Sequence, residues 1–387
     1  MSKVRRAAAC TLLSLAVLTP TLSASATTEG GSSARHGTDG STSSATERAE
    51  RRTHRALRLE QRYDLAGLSA AEGPFGAREG EESSESLPPF VGIDGLLYDR
   101  APTIVDGRNG TVYIGQDFDG ACYWGPRFPN AMRKLARLAT IIERSGRRVV
   151  FTVAPNKSSA NKGDLPEELP HGACDQLGMT QQDALLDTLP DPRYLGLRDL
   201  LARNTAAGRP MFWHIDTHWT TVGGTQYAQK LAQRLDPRVA RLQRYRNTEE
   251  TILVDYNAIG LMEGVTETGP ARFPTTRKVR VQPRDGSKPF DPVDVSPDLS
   301  WVTRPHKKAI KGETLLLGDS FTYRALPSLL PLFHKGRFIW TGQESMKDTA
   351  RAVRKADTVV LEVVQRYLPI SAIVSKELRR AVADALR

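Results

Sequence analysis

The sequence has little cysteine: Cys10, Cys122 and Cys174 are the only three in 387 residues. That excludes a disulfide-dense scaffold and a four-cysteine zinc site. Long apolar runs are missing apart from one near the N-terminus, which excludes a polytopic membrane protein. No Gly-rich loop ends in Lys-Ser or Lys-Thr, so a P-loop is not supported. No basic patch is interleaved with aromatics, so the net charge of +10 gives no case for a nucleic-acid partner. No internal repeat is evident. Hydrophobic residues make up 39% and charged residues 25%, the balance of a globular chain long enough for a sizeable core.

The one apolar run follows Lys3, Arg5 and Arg6 and ends in Ala24-Ser25-Ala26. A basic start, an apolar middle and small residues at the end read as a secretory signal over residues 1–26, cleaved after Ala26. The competing reading is an uncleaved membrane anchor. Pro20 argues against a regular span, and Cys10 lies too early to become a lipidated terminal cysteine. Export leaves Cys122 and Cys174, which in an oxidising compartment most simply form one disulfide. Residues 27–89 are rich in Ser, Thr, Gly and charge, and read as a disordered or partly helical polar linker, with a helix over 47–65. The compact domain is expected over residues 90–387.

Within it, short apolar strands alternate with helical patterns. Strands are expected at Thr111–Gly115, Val149–Ala154, Met211–His214, Thr314–Leu317, Arg337–Trp340 and Thr358–Val364. Helices are expected at Pro129–Ser145, Arg198–Thr205, Gly223–Leu235, Tyr323–Phe333, Lys347–Lys355 and Ser371–Leu386. This alternation is that of an α/β fold with a parallel sheet covered on both faces. Residues 236–312, rich in Pro and Arg, break the pattern and read as an insertion with strands of its own, such as Lys278–Val281.

Two segments carry chemistry. In Leu317-Gly318-Asp319-Ser320-Phe321 an apolar strand ends and a helical pattern begins. Ser320 then sits beyond a strand's carboxyl end and near a helix N-terminus, where free N–H groups stabilise an oxyanion. Asp-Ser is also an ordinary helix cap. In His214-Ile215-Asp216-Thr217-His218-Trp219 a carboxylate stands two residues from an imidazole on either side. Asp216 can orient one ring nitrogen while the other removes a proton from Ser320. Spacing alone does not choose between His214 and His218. A metal held by His214, Asp216 and His218 is the weaker reading, because no further ligand is identifiable.

These segments together resemble the alginate O-acetyltransferase (AlgX/AlgJ) type of SGNH-hydrolase-like proteins. The resemblance rests on Asp216-Thr217-His218-Trp219, on Leu317-Gly318-Asp319-Ser320-Phe321, on Val153-Ala154-Pro155-Asn156-Lys157, and on Glu362 to Arg366 ahead of Tyr367-Leu368-Pro369. It implies an SGNH-like three-layer sandwich with a mainly parallel sheet and a motif order permuted relative to ordinary SGNH esterases. It assigns Asp216 and His218 as acid and base, which selects His218 over His214, and Ser320 as nucleophile. Asn156 becomes a candidate oxyanion donor. Lys157 is a candidate for steadying an anionic acceptor or else a solvated loop charge. Trp219 is a candidate sugar platform or core aromatic. Arg366 is a candidate site residue or a structural partner of Glu362 at i, i+4. The expected activity is acetyl transfer through Ser320 onto a hydroxyl of an extracellular polysaccharide or cell-wall glycan, without cofactor or metal. A membrane O-acyltransferase partner is expected to supply the acetyl group. The alternative is a secreted carbohydrate or lipid esterase with the same three residues.

Overall fold

The computed structural model describes residues 103–257, 261–275, 277–283, 298–304 and 308–387, together with the short paired strands β1 (Phe90–Val91) and β2 (Leu97–Tyr98). The signal, the cleavage site and the helix expected over 47–65 lie outside the described residues. The remaining strands are β3 (Ile104–Asp106), β4 (Val112–Ile114), β5 (Arg148–Ala154), β6 (Tyr245–Leu253), β7 (Thr266–Pro274), β8 (Lys278–Pro283), β9 (Asp298–Arg304), β10 (Ile310–Gly318), β11 (Phe333–Trp340) and β12 (Thr358–Val364). The helices are α1 (Gln116–Cys122), α2 (Phe128–Arg144), α3 (Lys157–Ala160), α4 (Ala173–Thr188), α5 (Arg198–Ala206), α6 (Thr221–Leu235), α7 (Pro237–Leu242), α8 (Ser320–Leu329), α9 (Met346–Lys355) and α10 (Lys376–Ala385).

The central sheet runs β5-β12-β10-β11-β9-β8. β5, β12, β10 and β11 are parallel; β9 and β8 extend the edge antiparallel. The parallel strands are continuously apolar because both faces are covered. Successive residues alternate faces, so Val150, Val360, Leu316 and Phe338 pack with α6 and α8. Val149, Phe151, Leu315, Leu317, Val359 and Leu361 pack with α2, α9 and α10. The result is a three-layer sandwich. Fully burying one such side chain is worth about 1.5–3 kcal/mol.

Register aligns the carboxyl ends of the parallel strands. Val364 lies opposite Ala154, Leu361 opposite Leu317, and Gly318 opposite Trp340. Three of the sequence segments that bear chemistry therefore leave the sheet at one end, where open α/β sheets bind ligands. Cys122 at the end of α1 and Cys174 at the start of α4 form a disulfide.

Several boundaries differ from expectation. Residues 236–312 are not a separate insertion: β8 and β9 belong to the main sheet, and only the β6–β7 ribbon stands apart from it. No strand forms at Met211–His214; Phe212 makes a single antiparallel bridge to Trp219, enclosing a loop. α8 begins at Ser320 rather than Tyr323, because the Asp319 side chain accepts from the Phe321 N–H and caps it there. It ends at Leu329, two residues past Pro327. The final helix starts at Lys376, after a separate turn at Ala372–Val374.

Candidate active site

The loop between Phe212 and Trp219 carries Asp216 and His218. Its shape comes from capture by buried groups rather than from extended backbone. Lys157 Nζ, on α3 just beyond β5, donates to the carbonyls of Trp213 (3.1 Å), His214 (3.0 Å) and Asp216 (2.8 Å). The Glu267 carboxylate on β7 accepts from the N–H groups of His214 and Ile215. Val112 N–H donates to the His214 carbonyl. Lys157 is thus neither solvated nor open to a substrate: it is fully buried, and burial lowers its ammonium to about 8.

Asp216 is completely buried. Its Oδ1 accepts from the His218 N–H and from His218 Nδ1, both at 2.8 Å. Its Oδ2 accepts from the Asp255 N–H at 2.8 Å. The two-residue spacing works here because one carboxylate oxygen closes a turn onto the backbone two residues on and holds the ring of that same residue. Burial opposes the charge on Asp216, but the His218 imidazole, Arg324 and the donated N–H outweigh it and hold the carboxyl well below its usual range. Arg324 approaches Oδ2 at 3.9 Å from α8. Burial lowers the His218 imidazole despite the opposing pull of Asp216. With Nδ1 on the carboxylate, Nε2 is the nitrogen left for chemistry, and among the described residues it is buried without a partner. His214 is exposed, and its Nδ1 faces Thr111 Oγ1 at 3.4 Å rather than Asp216.

Ser320 opens α8 and is half-buried. Phe321, the next residue, places its ring 5.0 Å from that of His218. Among the described residues no hydrogen bond joins Ser320 Oγ to His218; such contacts often tighten only with substrate bound. Beneath the turn, Glu362 Oε2 accepts from Asp319 N–H, Thr322 N–H and Thr322 Oγ1. Gly318 is required there: a Cβ would lie 2.4 Å from Thr322 Oγ1 and 2.8 Å from Glu362 Oε2. Asp319 caps the helix with Oδ1 and accepts from Val364 N–H with Oδ2. Of the first N–H groups of α8, those of Phe321, Thr322 and Tyr323 bond to Asp319 or Glu362.

Asn156 is buried, and its Oδ1 accepts from the Arg366 N–H at 3.1 Å. Arg366 does not pair with Glu362. Glu362 lies on β12 and Arg366 in the following turn, so no helix brings them together at i, i+4; the guanidinium instead meets Asp117 at 3.2 Å. It also lies 5.4 Å over the Phe321 ring. Trp219 is 1% exposed and packs edge-on against Phe321, as a core aromatic rather than an open platform.

Residues 104–291 match the family model described as SGNH hydrolase-like domain, acetyltransferase AlgX. This segment is similar to an AlgX-type SGNH hydrolase-like domain. The match includes Asp216 and His218 and stops before Ser320. Among solved structures, the chain is similar to the O-acetyltransferase domain of Pseudomonas putida AlgJ, with 16% identity over 70% of this chain and 93% of that one and a TM-score of 0.44. It is similar to Bacillus cereus PatB1, with 12% identity over 69% and 97% of the two chains and a TM-score of 0.47. It is also similar to Pseudomonas aeruginosa AlgX, with 13% identity over 72% and 66% and a TM-score of 0.40. No curated protein matches the chain. Among the described residues, no helix is long and apolar enough to cross a membrane.

The sequence reading missed Asp255 at the site and the pairing of Glu362 with Asp319. Asp255 follows β6 and stands beside Asp216 and His218; ligand atoms of the three lie within 4.8 Å of one another. That cluster is a possible metal cradle, but both Asp216 oxygens are already committed to N–H donors. Glu362 shares the floor of the Ser320 turn with Asp319, and burial plus that neighbour pushes it well above its ordinary value. Nothing in the local sequence announces either pairing, since each joins residues some 40 positions apart.

Proposed function

We propose that the chain is an exported serine-dependent O-acetyltransferase. It carries an acetyl group on Ser320 and passes it to a hydroxyl of an extracellular polysaccharide or cell-wall glycan. The observation that carries this reading is His218: Asp216 holds its Nδ1, its Nε2 has no partner among the described residues, and its ring packs beside that of Phe321, the residue after Ser320.

In the first half-reaction His218 Nε2 removes the Ser320 proton and Oγ attacks the acetyl carbonyl. The Ser320 N–H and the Asn156 side-chain Nδ2, neither of which has a partner among the hydrogen bonds described, are the donors for the tetrahedral oxyanion. Collapse breaks the bond to the donor's oxygen, which takes the proton from the imidazolium. In the second half-reaction a sugar hydroxyl gives its proton to His218 and attacks the acetyl carbon, and Ser320 recovers its proton as the ester bond breaks. Asp216 stays ionised and compensates the imidazolium formed twice per cycle. Lys157 acts through the loop carbonyls it holds, and Arg366 through Asp117 and the Phe321 ring. The acetyl donor reaches the outside through a membrane O-acyltransferase partner, and the N-terminal signal accounts for export.

The test is intact mass after incubation with 4-nitrophenyl acetate. Wild type gains one acetyl group and Ser320→Ala does not. Added oligosaccharides then acquire acetyl esters. Acetylation of Ser320→Ala at the wild-type rate overturns the nucleophile, and release of free acetate alone makes the chain an esterase.

A further inference from the structure

We propose that Arg324 and Glu250 form a subsite for a neutral sugar unit of the acceptor, holding one of its hydroxyls between a guanidinium and a carboxylate beside Ser320. The inference deepens the reading of Ser320 as the acetyl carrier and rests on it.

Seven of the ten residues of α8 are buried. The other three, Ser320, Arg324 and Pro327, fall at i, i+4 and i+7, a single stripe on one helix face. Arg324 is therefore the next open side chain after the nucleophile, their Cβ atoms about 5–6 Å apart. Its guanidinium turns toward the catalytic pair and stops 3.9 Å from Asp216 Oδ2, with 27% of the side chain exposed. That distance is beyond hydrogen-bond reach. Among the described residues the guanidinium N–H groups make no hydrogen bond, so they are left for a ligand.

Glu250 reaches the same place from the β6–β7 ribbon. It pairs with Gly269 across the ladder, and directly paired residues share a face. That face lies on the catalytic loop. A Cβ on Gly269 would lie 2.7 Å from the Trp213 ring. Glu267, two residues before Gly269 and on the same side, accepts from the N–H groups of His214 and Ile215. Glu250 Oε2 is buried there with no hydrogen-bond partner among the described residues. Burial raises the Glu250 carboxyl and the nearby Arg324 charge opposes that shift, yet no ion pair joins the two among the described residues.

Two partly buried groups of opposite charge thus stand unmatched beside the stripe that begins at Ser320. Leaving such groups without hydrogen bonds costs free energy. A guanidinium only donates and an ionised carboxylate only accepts, whereas a hydroxyl does both. A hydroxyl between them satisfies the pair at once. An anionic ligand would suit Arg324 but meet the like charges of Glu250 and Asp216. A neutral sugar carries hydroxyls on neighbouring carbons, so one can occupy this pair while another is presented to the acetyl group on Ser320.

The test follows how the acetyl-enzyme formed from 4-nitrophenyl acetate divides its acetyl group among water, propan-1-ol and methyl glucoside, in wild type, Glu250→Gln and Arg324→Gln. Propan-1-ol has a single hydroxyl and cannot fill the pair while it is acetylated; the glucoside can. Wild type is expected to favour the glucoside, and each variant to lower the ratio of glucoside ester to propyl ester about 10- to 100-fold. The ratio is set after Ser320 is loaded, so it does not depend on the rate of loading. A merely structural pair slows loading or lowers the urea midpoint and leaves the ratio at its wild-type value, which overturns the proposal. So does a wild type without the preference. Stronger inhibition of glucoside transfer by glucuronate than by glucose means that the guanidinium takes a carboxylate, and overturns it as well. If acetyl passes only to water, or Ser320 is never acetylated, the reading of the chain as a Ser320 transferase fails, and the subsite falls with it.

Discussion

Replacing Asp216 by Asn tests the centre of the site, and the structure shows why no orientation of the amide is harmless. With the amide oxygen toward His218, the turn bond and the imidazole bond survive. The NH2 group then faces the Asp255 N–H, which now donates to Oδ2 at 2.8 Å, and two donors oppose each other. With the amide reversed, the NH2 group faces both the His218 N–H and Nδ1. Nδ1 must then accept, the proton moves to Nε2, and the ring cannot take a proton from Ser320. Either outcome also removes the charge that compensates the imidazolium. A loss of about 1,000- to 10,000-fold in acylation rate follows, about 4–5.5 kcal/mol of transition-state stabilisation. The pH profile moves in a defined direction. Burial already lowers His218 from 6.5, and Asp216 opposes that shift. Its removal lowers the imidazole further, so any remaining activity has an acid limb at lower pH than wild type. Single-turnover acylation by 4-nitrophenyl acetate between pH 4 and 8 measures both quantities. A rate within tenfold of wild type, or an acid limb that moves upward, refutes the reasoning.

Other predictions concern the support of the site. Gly318→Ala puts a methyl group 2.7 Å from Thr322 Cβ and 2.8 Å from Glu362 Oε2. Opening that turn is expected to cost about 2–4 kcal/mol in urea unfolding, and a loss below about 1 kcal/mol means that the turn relaxes freely. Cys122→Ser with Cys174→Ser opens a closure spanning 52 residues and is expected to cost about 4 kcal/mol in the chain-entropy model. An unchanged urea midpoint rules out a stabilising bridge between α1 and α4.

The sheet was legible because its strands are buried on both faces. Thr358–Val364 reads as a strand from its apolar run alone and is observed with the same bounds. Edges were less legible. β8 alternates exposed and half-buried residues and the end of β9 alternates buried and exposed ones, so they look like part of a separate unit until the pairing of β8 with β9 and of β9 with β11 is seen. The site was legible in its residue types and obscure in its pairings. Asp216 and His218 announce themselves by spacing, although the spacing operates through a side-chain turn rather than an extended strand. Lys157 reads as an open charge because a lysine is almost never fully buried; three carbonyls of a loop 56 to 59 residues away make it so. Asp255 carries no local signal, and nothing local to Glu362 announces its pairing with Asp319. The Asp216 carboxylate is held by two N–H groups of His218, two residues on, and by one from Asp255, 39 residues on. The charge on Asp216 thus depends on a local turn and on one distant N–H together, while Asp216, His218 and Ser320 themselves lie in two short motifs. A substitution that keeps both motifs intact and alters only the donors around Asp216 is expected to change the base without changing any residue that touches the acetyl group.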